Sequence, residues 1–141
     1  MRKAACILLI RPDGRILGAS RRNSLIDFNL VGGKVDSGES VREAAVREFA
    51  EETGTYLSTN NLIEVFTHPC YGEADYETTT FLVYQQLDLA AQQIPENPNC
   101  PEDGILIKWI TWNDLLGPNS SFREYNQLLY NKISHLLEDK P

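Results

Sequence analysis

The sequence predicts an α+β fold. Runs rich in β-branched and other apolar residues come first along the chain, one acid-rich helix interrupts them, and an amphipathic helix closes the order. Strands that precede, flank and follow a single helix make a mixed sheet that helices must cover.

The elements follow in order. Residues 3–11 read as a strand, Pro12, Asp13, Gly14 and Arg15 as a turn, and residues 16–21 as a second strand, so the two can pair as a hairpin. Residues 22–29 are polar and read as irregular. A glycine-rich loop and the acidic helix come next. Residues 62–68 read as strand, 69–75 as a polar loop, and 76–87 as a longer strand rich in Thr, Phe, Val and Tyr. The prolines in 88–104 indicate a loop, and 105–112 a further strand. Asn113 can cap a short helical turn. Residues 122–137 read as a helix with Tyr125, Leu128, Leu129, Ile133, Leu136 and Leu137 on one side. No repeat or low-complexity segment is visible.

The acidic helix carries the chemistry. Glu48, Glu51 and Glu52 are three and four positions apart, so their carboxylates share one helix face. Such a set can be an ordinary solvated face. It can equally bind a hard divalent cation, Mg²⁺ or Mn²⁺, which removes the repulsion among the acids. Upstream, Gly32, Gly33 and Gly38 permit positive φ or close backbone approach. Ser37 or Ser40 can cap the helix, with Glu43 completing a capping box on Ser40, and Gly54 stands where a helix ends.

Taken together, Gly33, five residues, Glu39, seven residues, Arg47-Glu48, an apolar Phe49, one residue, Glu51-Glu52, one residue and Gly54 resemble the Nudix box. That box marks hydrolases of nucleoside diphosphates linked to another moiety. Thr55, Val31 and Asp36 depart mildly from the pattern, at positions that bear on local packing. The resemblance implies an α/β/α sandwich with a mixed β-sheet, and one Nudix domain over residues 1–141. It implies that Glu48, Glu51 and Glu52, with the backbone carbonyl of Gly32, bind Mg²⁺ or Mn²⁺. It implies that Arg47 orients a box glutamate and that Glu39 supports loop and helix from behind. Which glutamate acts as base stays open; Glu102 or Asp103, in a later loop, can contribute instead or be ordinary turn acids.

Composition bounds the partners. The chain has 141 residues, 42% of them hydrophobic, enough for a substantial core. A net charge of −7 argues against a broad nucleic-acid surface. Cys6, Cys70 and Cys100 lack zinc-site spacing and suit a reducing compartment. The apolar run near the start is broken by Arg11-Pro12-Asp13-Gly14 without a cleavage site, and no stretch reaches a membrane span. A cytoplasmic protein is expected, with a small nucleotide as partner, no nucleic acid and no membrane; a homodimer stays open.

Substrate choice lies outside the box. Phe28-Asn29 before the glycines is similar to the Trp-Asn stretch of family members that hydrolyse oxidised purine nucleotides, so Asn29 is a candidate base reader; it can alternatively hold the loop backbone. Those enzymes also carry a Trp and paired aspartates where this chain has Gly117-Pro118-Asn119-Ser120. Pro69 and Tyr71 fall near the markers of both ADP-ribose and diadenosine polyphosphate hydrolases and so do not discriminate. Tyr71, Tyr76, Tyr84 and Trp109 can stack on a base or simply fill strands. Arg21 or Arg22, with Gly33 and Lys34, can meet phosphates. The expected activity is pyrophosphohydrolysis of a nucleoside triphosphate to monophosphate and pyrophosphate. Alternatives are hydrolysis of a nucleoside diphosphate sugar, ADP-ribose or a dinucleoside polyphosphate, or a non-catalytic nucleotide sensor.

Overall fold

Alternation along the first strand sets the layering. In β1 (Arg2–Ile10), Ile7 and Leu9 point to one side of the sheet, Leu8 and Ile10 to the other, and all four are buried. A strand that is apolar on both faces must be covered on both. On one face α1 (Val41–Thr53) brings Ala44, Ala45 and Phe49 against Ala5, Ile7, Leu9 and Phe81. On the other, Leu115 of α2 (Trp112–Leu116) and Leu129 and Ile133 of α3 (Arg123–Glu138) pack on Leu8, Ile10, Ile16 and Leu82. The result is the expected α/β/α arrangement. The computed structural model describes residues 2–22, 24–70, 75–98 and 104–138, with side chains described as far as residue 135. Tyr71, Cys100, Glu102 and Asp103, and the side chains of Leu136 and Leu137, lie outside the described residues.

The other strands are β2 (Ile16–Arg21), β3 (Ser24–Lys34), β4 (Ile63–Cys70), β5 (Tyr76–Tyr84) and β6 (Ile107–Ile110). They lie in the order β4-β5-β1-β3-β2-β6, with β1 and β5 parallel and the other neighbours antiparallel. The sheet is therefore mixed, as expected. The hairpin of β1 and β2 exists, but the strands meet at Ile10 opposite Ile16 and then part. β3 enters between them, pairing with β1 on one side and β2 on the other.

That insertion corrects the sequence reading most. Residues 22–29 were expected to be irregular and the glycines to form a loop, yet Ser24–Lys34 is one strand. Its polar and glycine residues have little intrinsic strand preference, so pairing on both edges supplies the structure. Gly32 serves close approach, not positive φ: a Cβ there would strike the carbonyl oxygen of Ala5 and the Cα of Cys6. Positive φ falls at Gly38 (81°) and Gly54 (75°).

Smaller corrections follow the same logic. β4 runs on to Cys70 where a loop was expected, because it pairs with β5 throughout. β5 stops at Tyr84, and a 3-10 turn covers Gln85–Leu87. α2 is capped by Thr111, not Asn113: Asp114 Oδ2 accepts from the Thr111 backbone N–H (2.9 Å) in a capping box. Leu128 does not join the buried side of α3 and is 41% exposed.

One buried acid ties the far loops together. Asp88 is 2% exposed, and its carboxylate accepts from the backbone N–H of Ser58 (3.1 Å) and Ala91 (3.0 Å) and from Asn61 Nδ2 (2.9 Å). Burial alone would raise its pKa; the bonds from Asn61, Ala91 and Ser58 outweigh burial and hold it below the usual value. Asp88→Ala leaves those donors buried without an acceptor. It should cost about 2–4 kcal/mol in urea unfolding; a loss under about 0.5 kcal/mol would contradict the assigned role.

Candidate active site

The acidic helix begins where Ser40 caps it. The Ser40 Oγ accepts from Glu43 N (3.1 Å), and Glu43 Oε1 accepts from Ser40 N (3.0 Å), the expected capping box. Gly54 ends the helix in the left-handed conformation, its N–H donating to Ala50 O. Phe49, wholly buried, fixes the helix rotation against the sheet. The positions flanking Phe49 then turn toward the sheet end where β3 finishes.

There Arg47 satisfies every donor of its guanidinium. Nε and Nη2 fork onto the two oxygens of Glu39 (2.7 and 3.0 Å). Nη2 also donates to Lys34 O (2.9 Å), and Nη1 to Glu48 Oε1 and Glu51 Oε1 (both 3.0 Å). One residue thus ties the end of β3, the connecting loop and the helix acids together. Glu39 also accepts from Asp36 N (3.0 Å). The Arg47 guanidinium, followed by that backbone bond, holds the Glu39 carboxyl below the usual carboxylate range.

Glu48 differs in kind. Its side chain is 18% exposed and lies against Gly33, where a Cβ would fall on the carboxylate itself. Burial raises its pKa above the ordinary value, and Arg47 offsets only part of that. Glu51 is 53% exposed. Glu52 faces a recess of about 270 Å³ that it shares with Gly32, Arg21 and Arg22. Among the described residues, no three His, Cys, Asp or Glu side chains converge as a ready-made cage, since Glu48 and Glu51 share Arg47. The donor set still fits a hard cation: it is all oxygen, Glu48 is seated in a cradle only glycine permits, and Glu51 is not locked by packing.

The recess opens into a larger cleft of about 720 Å³ on the α3 side of the sheet, with Arg21, Asn29, Leu30, Gly32 and Phe122 common to both. That volume is within the range of small-ligand sites. Arg2, Arg21 and Lys34 line it, and none of its described lining residues is acidic. In a chain of net charge −7 this is a marked local reversal. The Tyr76 phenol bonds to Arg2 and Lys34, and those bonds hold its pKa below the usual value. The floor is neutral: Cys6 Sγ lies 3.1 Å from Thr80 Oγ1, which lies 2.6 Å from Tyr125 OH. Burial pushes the Cys6 thiol up to about 12, so it stays protonated.

The structure brings Arg21, Asn29, Gly32, Gly33 and Lys34 to one cleft beside the acid helix. Asn29 is 7% exposed and its amide is engaged by protein side chains. Arg22 lines the smaller recess. Trp109 is core, its Nε1 donating to Pro95 O (3.0 Å), and Tyr84 packs against the second core; neither lines the cleft. Sequence reasoning missed Arg2 and Phe122. No local signal marks them, since β1 and the start of α3 reach the cleft only through the sheet order.

Comparison with known proteins bears on this arrangement. The NUDIX domain family model matches residues 1–130. The chain belongs to the Nudix family. It is 41% identical over 63 residues to the ADP-ribose pyrophosphatase of Methanocaldococcus jannaschii, covering 43% of this chain and 37% of that one. It is 34% identical over 74 residues to a putative 8-oxo-dGTP diphosphatase of Bacillus subtilis, covering 52% and 49%. The matches thus span about half or less of those curated relatives' lengths. The MutT NUDIX hydrolase from Burkholderia pseudomallei superposes with a TM-score of 0.70 at 22% identity over 94% of this chain and 97% of that one, a likeness of fold. Among the described residues, no helix of this Nudix chain is long and apolar enough to cross a membrane.

The Glu39–Arg47 fork makes stability depend on pH. A carboxyl held below its ordinary value of 4.5 contributes stability above that pH and loses it as pH falls through the lower, folded-state value. Glu39→Gln should therefore be less stable than wild type at neutral pH, with the Tm difference shrinking as pH drops below 4.5. A Tm gap of constant size across that range would contradict the ion pair.

Proposed function

We propose that this Nudix chain is a metal-dependent hydrolase of a phosphoanhydride in a nucleotide, foremost a nucleoside triphosphate cleaved to monophosphate and pyrophosphate. The observation that carries the reading is the adjacency of two opposite fields. Carboxylates of Glu48, Glu51 and Glu52 stand beside a cleft whose charged lining, Arg2, Arg21 and Lys34, is cationic. Such a pair of fields suits a polyanion that must be held and attacked at once.

Glu48, Glu51 and Glu52, with the Gly32 carbonyl, would hold Mg²⁺, with Mn²⁺ as the other candidate. Bound there, the ion supplies charge neutralisation at the phosphates and a lowered pKa for water. The protein's own part is positional. Arg47 fixes Glu48 and Glu51 from behind, with Glu39 fixing Arg47. Gly33 leaves the Glu48 carboxylate room beside the strand. Arg21 and Lys34 meet the phosphates, by fork and by point charge respectively. A box glutamate accepts the proton of the attacking water. Hydrolysis of ADP-ribose is the second reading, favoured by the likeness to the Methanocaldococcus jannaschii enzyme.

Product analysis after incubation with nucleoside triphosphates, ADP-ribose, a nucleoside diphosphate sugar and a dinucleoside polyphosphate separates these readings. Monophosphate and pyrophosphate should appear from the triphosphate with Mg²⁺, and EDTA should abolish the reaction. Turnover undiminished in EDTA would reject the metal site, and no turnover of any of the four would reject the enzyme. Glu52→Gln should lower kcat by about 10²–10⁴-fold with an unchanged unfolding midpoint; wild-type kcat would remove Glu52 from the machinery.

A further inference from the structure

The Asn29 amide is saturated. Its oxygen accepts from Ser120 Oγ (2.6 Å) and Asn126 Nδ2 (3.3 Å). Its nitrogen donates to Asp27 Oδ1 (3.0 Å) and Ser121 Oγ (3.2 Å). A primary amide offers two donor hydrogens and two acceptor lone pairs, so all four positions are spent on protein. An amide so engaged can bond a nucleobase edge only by giving up one of these partners, and the two on its oxygen, Ser120 and Asn126, are buried and costly to lose.

The partners lie on one short segment. Ser120 and Ser121 end the connection between α2 and α3, and Asn126 stands in the first turns of α3. Asp27 reinforces the clamp by accepting from Ser121 N (2.7 Å). Asn126 closes it through Ser120 Oγ (3.1 Å) and Leu115 O (3.0 Å). The next residue after the clamped pair is Phe122. Its ring lines both the recess and the cleft, and carries the Arg21 guanidinium at 5.6 Å from the ring centre. Flat groups of this kind hold nucleobases by their faces, with little preference among them.

We propose that Asn29 is a positioning residue: through Ser120, Ser121 and Asn126 it sets the segment presenting Phe122, and the Phe122 ring holds the nucleobase by its face. Resting on the nucleotide-hydrolase reading, this assigns the base site to stacking and makes the enzyme tolerant of base identity. Loss of the clamp then weakens binding of every nucleotide alike and leaves the order of preference as it was.

The test uses the full chain with Mg²⁺ and ATP, GTP, CTP and UTP, following both binding and hydrolysis. Asn29→Ala should raise KM about ten-fold for all four, with kcat held within about three-fold and the ratios of kcat/KM among them unchanged. Ser120→Ala removes the 2.6 Å bond to Asn29 without touching the cleft lining. It should raise KM in the same uniform way with a near-wild-type Tm, and the double variant should be no worse than Asn29→Ala alone. Backbone hydrogen exchange at Ser121 and Phe122 should quicken in Ser120→Ala without nucleotide, an outcome independent of activity and available even if Asn29→Ala fails to fold. A changed order of base preference in either variant, or unchanged KM and exchange in Ser120→Ala, overturns the assignment alone. Wild-type protein that neither binds nor cleaves any of the four nucleotides overturns the triphosphate reading and the base site together.

Discussion

Arg47 is the residue on which the site depends. Its five N–H groups meet Glu39 twice, the Lys34 carbonyl, Glu48 and Glu51. Only a planar fork with fixed donor directions can serve acceptors on a strand end, a loop and a helix at once. A helix face crowded with acids is unfavourable on its own, and Arg47 supplies the shared counter-charge that makes it tenable. The same bonds restrain Glu48 and Glu51, so the support of the fold and the orientation of the acids are one interaction.

Around that hub one acid is held where burial opposes its charge. Glu48 is held in a partly buried seat where its ionised form is disfavoured, the reverse of Glu39 next to it. Two carboxyls bonded to one arginine are thereby pushed in opposite directions: the Arg47 fork and the Asp36 N–H lower Glu39, whereas burial raises Glu48. Asp88, away from that hub, is pulled down as Glu39 is, by saturated hydrogen bonding.

The acid helix was legible because its information is local. The capping box of Ser40 and Glu43, the apolar Phe49 and the stop at Gly54 all act within a turn or two of chain, and each stands where the spacing put it. β3 was not legible. Its glycines and polar residues disfavour a strand and interrupt its apolar residues, and pairing with β1 and β2 on its two sides makes it one. Thr111 was overlooked as the cap of α2 because Asn113 is an equally good cap by type, and the choice rests on which of them reaches Asp114.

The amino-acid order alone determined which chemical groups recur at helical spacing, and so the family and the oxygen character of the candidate metal site. Tertiary structure alone decided what those groups touch. Arg2 and Phe122 come to one cleft only because the sheet carries β1 beside β3 and α3 across its face. Asn29 meets Ser120 across 91 residues of chain, a hydrogen bond whose formation depends on the packing of three elements. Local propensity acts over a few residues, whereas sheet order and the partners of a buried amide are collective properties of the folded chain.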